Sequence, residues 1–120
     1  MIKFKEILYE DLNNLDFAYH NTTIKNANSI KEHGFKIGDG PYGKGVYLTP
    51  SIKLYKNQIK LKVSLKNIKN IFRVYNHDTS DEAIYNWQNL SKKYDAIFVG
   101  NKNKESELII FNPNKLEIIK

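Results

Sequence analysis

Gly40-Pro41-Tyr42-Gly43-Lys44-Gly45-Val46-Tyr47-Leu48-Thr49-Pro50-Ser51, with Tyr55 just beyond, is the stretch on which the reading of this chain turns. Glycine lacks a Cβ, so three glycines and a proline before Val46 predict a backbone that turns sharply or approaches another group closely. Val46-Tyr47-Leu48-Thr49 is apolar and β-prone, and reads as a buried strand. A loop of this kind feeding a strand that carries tyrosines suits a flat aromatic ligand. Gly45 and its neighbours give access, and the rings give stacking surface. The same residues also read as ordinary loop punctuation before a core strand, and loop composition alone favours that plainer reading.

Upstream, Asp16 to His20 reads as a short strand ending at His20. Thr22 or Thr23 can cap a helix running to about His33, with Ile24, Ala27 and Ile30 on one face and Gly34 in the terminating position. Downstream, Pro50 suits the first turn of a short helix. Ile59, Leu61, Val63 and Leu65 alternate with Lys60, Lys62, Ser64 and Lys66, predicting a half-buried strand whose lysine face discourages edge-to-edge pairing. Ile71 to Tyr75 reads as a further strand. Thr79 with Glu82 forms a capping-box pattern for a helix to about Lys93, with Ala83, Trp87 and Leu90 on its apolar side. Ala96 to Val99, Glu107 to Phe111 and Leu116 to Ile119 read as three more strands, the last two joined by the turn Asn112-Pro113-Asn114. Strand runs this closely spaced do not fit repeated βαβ units. The expected class is α+β, mostly antiparallel, with two main helices.

A chain of 120 residues is expected to form one domain with a single modest core. Its 41% hydrophobic and 27% charged content are those of a globular protein rather than a disordered one. No apolar run approaches the roughly 18 residues needed to cross a bilayer, and charges interrupt Met1 to Phe17 where a signal peptide needs its apolar segment. A cytoplasmic protein, or one delivered into another cell's cytoplasm, is therefore expected, with no membrane partner. The absence of cysteine excludes disulfides and thiolate metal sites. His20, His33 and His77 share no ligand spacing with one another or with a carboxylate, so no metal is expected. The net charge of +6 permits a polyanionic partner. The excess is lysine, however, with Arg73 the only arginine, and the chain is rich in Asn and Ile. That mixture reflects an A/T-rich coding sequence more often than a nucleic-acid groove, where arginine reads phosphates and bases.

Three segments stand in order: Tyr19-His20-Asn21-Thr22-Thr23 before a helix, Gly43-Lys44-Gly45-Val46-Tyr47-Leu48 on a strand, and Glu105-Ser106-Glu107-Leu108-Ile109-Ile110-Phe111 on a late strand. This set resembles the catalytic domains of ADP-ribosyltransferases of the diphtheria-toxin and poly(ADP-ribose) polymerase type, which carry a His, a Tyr and a Glu on three separated strands. The Gly-Lys-Gly-Val-Tyr-Leu segment is similar to the polymerase-type Gly-Lys-Gly-Ile-Tyr-Phe, with a following serine and second tyrosine, here Ser51 and Tyr55. The resemblance runs from about Phe17 to Ile119. It implies a split, mostly antiparallel β-sandwich around an NAD cleft. The residue after the histidine is Asn21 where the family usually has glycine, and Ser51 falls closer to the tyrosine strand than in the polymerases.

The resemblance implies a role for each matching residue. Glu107 holds the nicotinamide-ribose hydroxyls and stabilises the transition state. His20 binds the adenosine-side ribose, with Thr22 in support. Tyr47 and Tyr55 stack the nicotinamide ring, while Ser51 and the backbone of Asn21 meet its carboxamide. Gly45 leaves room for the ligand. Glu105, two residues before Glu107, matches the Glu-x-Glu pattern in which the first carboxylate engages the acceptor. The co-substrate is then NAD, the macromolecular acceptor a protein or nucleic acid, and the setting that of a toxin, effector or phage–host conflict protein with a possible antitoxin or immunity partner. Taken singly, His20 reads as a hydrogen-bonded surface residue, Tyr47 as core and Glu107 as a solvated edge carboxylate. Other readings are an NAD glycohydrolase, an RNA 2′-phosphotransferase, for which the single arginine is poorly suited, and a non-catalytic basic binding module on the same fold.

Overall fold

The computed structural model describes residues 16–40, 43–50, 55–75, 87–100 and 106–119. Strand β1 (Phe17–Thr22) leads into helix α1 (Ile24–His33), and then come β2 (Gly38–Gly40), β3 (Gly43–Leu48), β4 (Ile59–Ser64) and β5 (Ile71–Tyr75). Helix α2 (Trp87–Lys93), β6 (Ala96–Gly100), β7 (Glu107–Ile110), a 3₁₀ turn (Pro113–Lys115) and β8 (Glu117–Ile118) complete the described elements. They form a small α+β domain of two sheets and two helices. One sheet has the order β1-β4-β8 and the other β2-β3-β7-β6-β5. Every pairing is antiparallel except β5 with β6. A parallel pair needs a crossover, and the chain through α2 supplies it.

The burial pattern of each strand follows its place in the sheets. Leu61 and Val63 of β4 are buried while Lys60 and Lys62 alternate with them, as in a sheet with one face on the core. In β6 every residue is buried, because the five-stranded sheet is covered on both faces. Ala96 and Phe98 join Val46, Leu48, Leu108, Ile110 and, from the three-stranded sheet, Ala18 and Val63. Ile97 and Val99 join Ile109 and Phe111 on the opposite face, where Leu90 and Tyr94 pack.

Thr23, not Thr22, caps α1, its hydroxyl accepting from Asn26 N–H at 3.2 Å. Gly34 ends the helix at φ +84°, its N–H donating to Ile30 at 2.7 Å. Of the expected apolar face, Ala27 is fully buried and Ile30 half-buried, whereas Ile24 in the first turn is 66% exposed. The expected helix after Pro50, the Thr79–Glu82 capping box, Ala83 and the Trp87 side chain lie outside the described residues.

Three further differences bear on the site. Gly40 and Gly43, read as part of a loop, lie opposite each other in paired strands, Gly38–Gly40 running antiparallel to β3. Strand β4 is central in its sheet, so its lysines guard no edge. The Asn112-Pro113-Asn114 turn does not close a hairpin. It carries the chain from β7 in one sheet to β8 in the other, with the Asn112 side chain accepting from Asn114 N–H at 3.0 Å. No helix among the described residues is long and apolar enough to cross a membrane.

Candidate active site at the parting of the two sheets

Besides sharing a core, the two sheets are joined backbone to backbone among the described residues at Tyr19 and Thr49. Tyr19 of β1 and Thr49, just past β3, exchange backbone hydrogen bonds of 2.8 Å in both directions. Backbone polar groups alternate between the two edges of a strand. The N–H and C=O of His20 therefore turn toward β4, and those of Asn21 turn to the same edge as Tyr19, into the gap where β1 and β3 part. The Asn21 side chain accepts from Lys60 Nζ at 2.8 Å.

His20 and Tyr47 are bound to each other across this gap. His20 Nδ1 lies 2.9 Å from Tyr47 O. A carbonyl only accepts, so Nδ1 carries the proton and the neutral ring keeps Nε2 as an acceptor. The imidazole stands edge-on to Phe35, with centroids 5.3 Å apart, which fixes its plane. Phe35 follows the helix-ending Gly34, and an apolar residue just past a helix stop was the available signal for it.

Tyr47 is held at three points. Its carbonyl accepts from His20, and its hydroxyl donates to Gly43 O at 2.7 Å. Its ring covers Gly40, where an added Cβ would fall 2.3 Å from Tyr47 Cζ. A close approach was legible in the glycines, but the partner ring was not. At Gly45 the same construction puts a Cβ 2.5 Å from Ile109 Cγ2 and 2.9 Å from Ile110 O, so that glycine is required by packing against β7.

Glu107 opens β7 and is half-buried. Tyr47 stands opposite Ile109 in the β3–β7 register. Glu107, two residues before Ile109, projects from the same face as Tyr47, with Cα atoms about 7–8 Å apart on the diagonal.

Two cavities open along this line. The smaller, about 240 Å³, is lined by His20, Tyr47 and Glu107 together with Tyr19, Asn21 and Ser106, among others. The larger, about 540 Å³, lies between α1 and β3 and includes Thr22, Ile30, Phe35, Lys36, Gly40 and Gly45. His20 and Tyr47 line both, and so form the wall the cavities share. Of the expected site residues, the fold thus brings together His20, Asn21, Thr22, Gly45, Tyr47 and Glu107. Tyr55 lines neither cavity; it is 38% exposed with Lys60 Nζ 5.8 Å from its ring centroid. Ser51 and Glu105 lie outside the described residues.

The chemistry available is that of a fixed imidazole acceptor, an aromatic face, strand-edge amides and one carboxylate around a small recess. Among the described residues no three His, Asp or Glu side chains gather as a metal site would require. No protein-family model matches this chain, and no curated protein is detectably similar to it.

Proposed function

We propose that the chain is an NAD-dependent mono-ADP-ribosyltransferase on an ADP-ribosyltransferase-like fold, acting on a macromolecular acceptor. The observation that supports this reading is the convergence of His20, Tyr47 and Glu107, from three strands, on one small cavity that shares a wall with a larger one. A dinucleotide has two halves, and two adjacent recesses with His20 and Tyr47 in both linings suit such a ligand.

On this reading the smaller recess takes the nicotinamide and its ribose. Tyr47 stacks the ring, the backbone amide and carbonyl of Asn21 meet the carboxamide, and Glu107 accepts from the ribose hydroxyls. The larger recess takes the adenosine half. His20 Nε2 accepts from its ribose hydroxyl, and Lys36 supplies the positive charge that a pyrophosphate calls for. In the reaction the bond from ribose C1′ to the nicotinamide nitrogen breaks, and its electron pair leaves with neutral nicotinamide. A nucleophile on the acceptor forms the new bond to C1′ and gives its proton to a base or to water. Positive charge builds on the ribose between these events, as in glycoside hydrolysis. The Glu107 carboxylate, preorganised in a partly desolvated recess, stabilises that charge, a contribution worth about 10²–10³ in rate.

The test is incubation of the protein with NAD labelled in its adenine ring and a cell lysate. Label is expected to enter protein, DNA or RNA with the wild type and not with Glu107→Gln. Label that stays in small molecules with both proteins would contradict transfer.

A further inference from the structure

The outer face of the three-stranded sheet interleaves rings with lysines. Phe17, Tyr19 and Asn21 of β1 lie beside Ser64, Lys62 and Lys60 of β4 in register. Lys62 Nζ sits 3.7 Å from the Phe17 ring centroid, and Lys60 Nζ sits 5.6 Å from that of Tyr19 and 5.8 Å from that of Tyr55. Phe17 and Tyr19 stand edge to face at 6.0 Å. These strand side chains are half-buried and Tyr55 is exposed, so the rings retain open surface. Among the described residues the carboxylate on this face is Glu117, which Lys66 neutralises at 2.9 Å.

We infer that this face docks a single-stranded nucleic acid and leads it to the small cavity, where it is the acceptor. Aromatic side chains on an open sheet, flanked by cations, are the elements that bind unpaired bases and their phosphates. Each lysine ammonium rests over a ring in the free protein, and a base stacking on that ring releases the ammonium to the adjoining phosphate. An acidic polypeptide would use the lysines but would give the rings nothing flat to stack. Lysine without arginine predicts little base selectivity. Tyr19 and Asn21 belong both to this face and to the lining of the small cavity, so a strand lying across Phe17 and Tyr19 reaches the recess that holds Glu107. The delivery step rests on the NAD-site reading above; the docking does not.

The experiment is fluorescence anisotropy of labelled oligouridylate and oligothymidylate against the full chain, over roughly 50 to 200 mM salt. Both oligomers should bind more tightly than a duplex, and polyglutamate at equal charge should not displace them. Lys62→Gln should flatten the slope of log affinity against log salt by about 0.7, the value for one phosphate contact on a single strand. Phe17→Leu should weaken binding about tenfold at every salt concentration and leave the slope alone. If Phe17→Leu fails to fold, the Lys62→Gln slope decides. Failure of either oligomer to bind, an unchanged slope in Lys62→Gln, or equal binding of duplex or polyglutamate would overturn the proposal. Nicotinamide release from NAD alone should be unchanged in both variants. Its absence from the wild type, with these oligonucleotide results intact, would remove the NAD reading and leave the docking face standing.

Discussion

The Tyr47 ring packs against Gly40 and is tied at its hydroxyl, so it is positioned before any ligand arrives. Tyr47→Ala should weaken NAD binding by about 0.5–1.5 kcal/mol for the lost stack, plus lost packing. Calorimetric titration decides this, and equal affinity in folded Tyr47→Ala would remove the stacking role. Tyr47→Phe keeps the stack but deprives Gly43 O of its donor, so it should keep most of the affinity and lower stability by about 0.5–1.5 kcal/mol in denaturant melts. Gly40→Ala reaches the same ring from beneath. Its methyl would overlap Tyr47 Cζ, so the ring must move, and NAD affinity should fall toward that of Tyr47→Ala with His20 and Glu107 untouched. The two carboxylates of Glu105-Ser106-Glu107 should separate in function. Glu105→Gln is expected to keep NAD cleavage by water and lose mainly transfer, whereas Glu107→Gln loses both. Intact transfer by Glu105→Gln would remove its acceptor role.

At the scale of elements, the termini of helices and strands hold the site in place. Gly34 ends α1 with φ +84° and ψ 176°, a region open essentially to glycine, and it lines the larger cavity beside Phe35. Nothing lies within 4 Å of a Cβ there, so the cost of Gly34→Ala is conformational, of order 1–3 kcal/mol, read from denaturant midpoints. Asp95, just before β6, binds three connections. Its carboxylate pairs with Lys115 in the 3₁₀ turn and accepts from the N–H groups of Lys69 and Asn70 before β5. Burial pushes the Asp95 carboxyl up, but the Lys115 ammonium and the two amides outweigh it and hold the group below its usual value. A lowered pKa in the folded state adds stability above the unfolded value of about 3.9 and loses it as pH falls through the folded value. Asp95→Asn should therefore lower the melting temperature at neutral pH and flatten the loss of stability below about pH 4. Thermal melts across that range test this; parallel acid limbs in the two proteins would contradict it.

For the whole molecule, elements written in local pattern were legible and their partners were not. The alternation of Leu61 and Val63 with Lys60 and Lys62, a helix start at Thr22 or Thr23 with a stop at Gly34, and the apolar run Ala96 to Val99 each state a local structure in their own residues. Gly38-Asp39-Gly40 does not, because its strand state comes from pairing with β3 and from the Tyr47 ring above it, both set by tertiary contact. Likewise the β4 lysines suggest an edge until β1 and β8 are seen on either side of them. His20, Tyr47 and Glu107 were legible as polar residues on apolar strands, but their shared cavity depends on the Tyr19–Thr49 bridge and the β3–β7 register, which no local pattern encodes. Phe35, which orients His20, was missed, and of Gly40 only the close approach was legible, not the Tyr47 ring that makes it. The central claim, that these three residues form one NAD-cleaving site, is tested most directly by nicotinamide release from NAD with the purified protein. The wild type should release nicotinamide, with Glu107→Gln slower by about 10²–10³. No release by the wild type, with or without a lysate to supply acceptors, or equal release by folded Glu107→Gln, would contradict it.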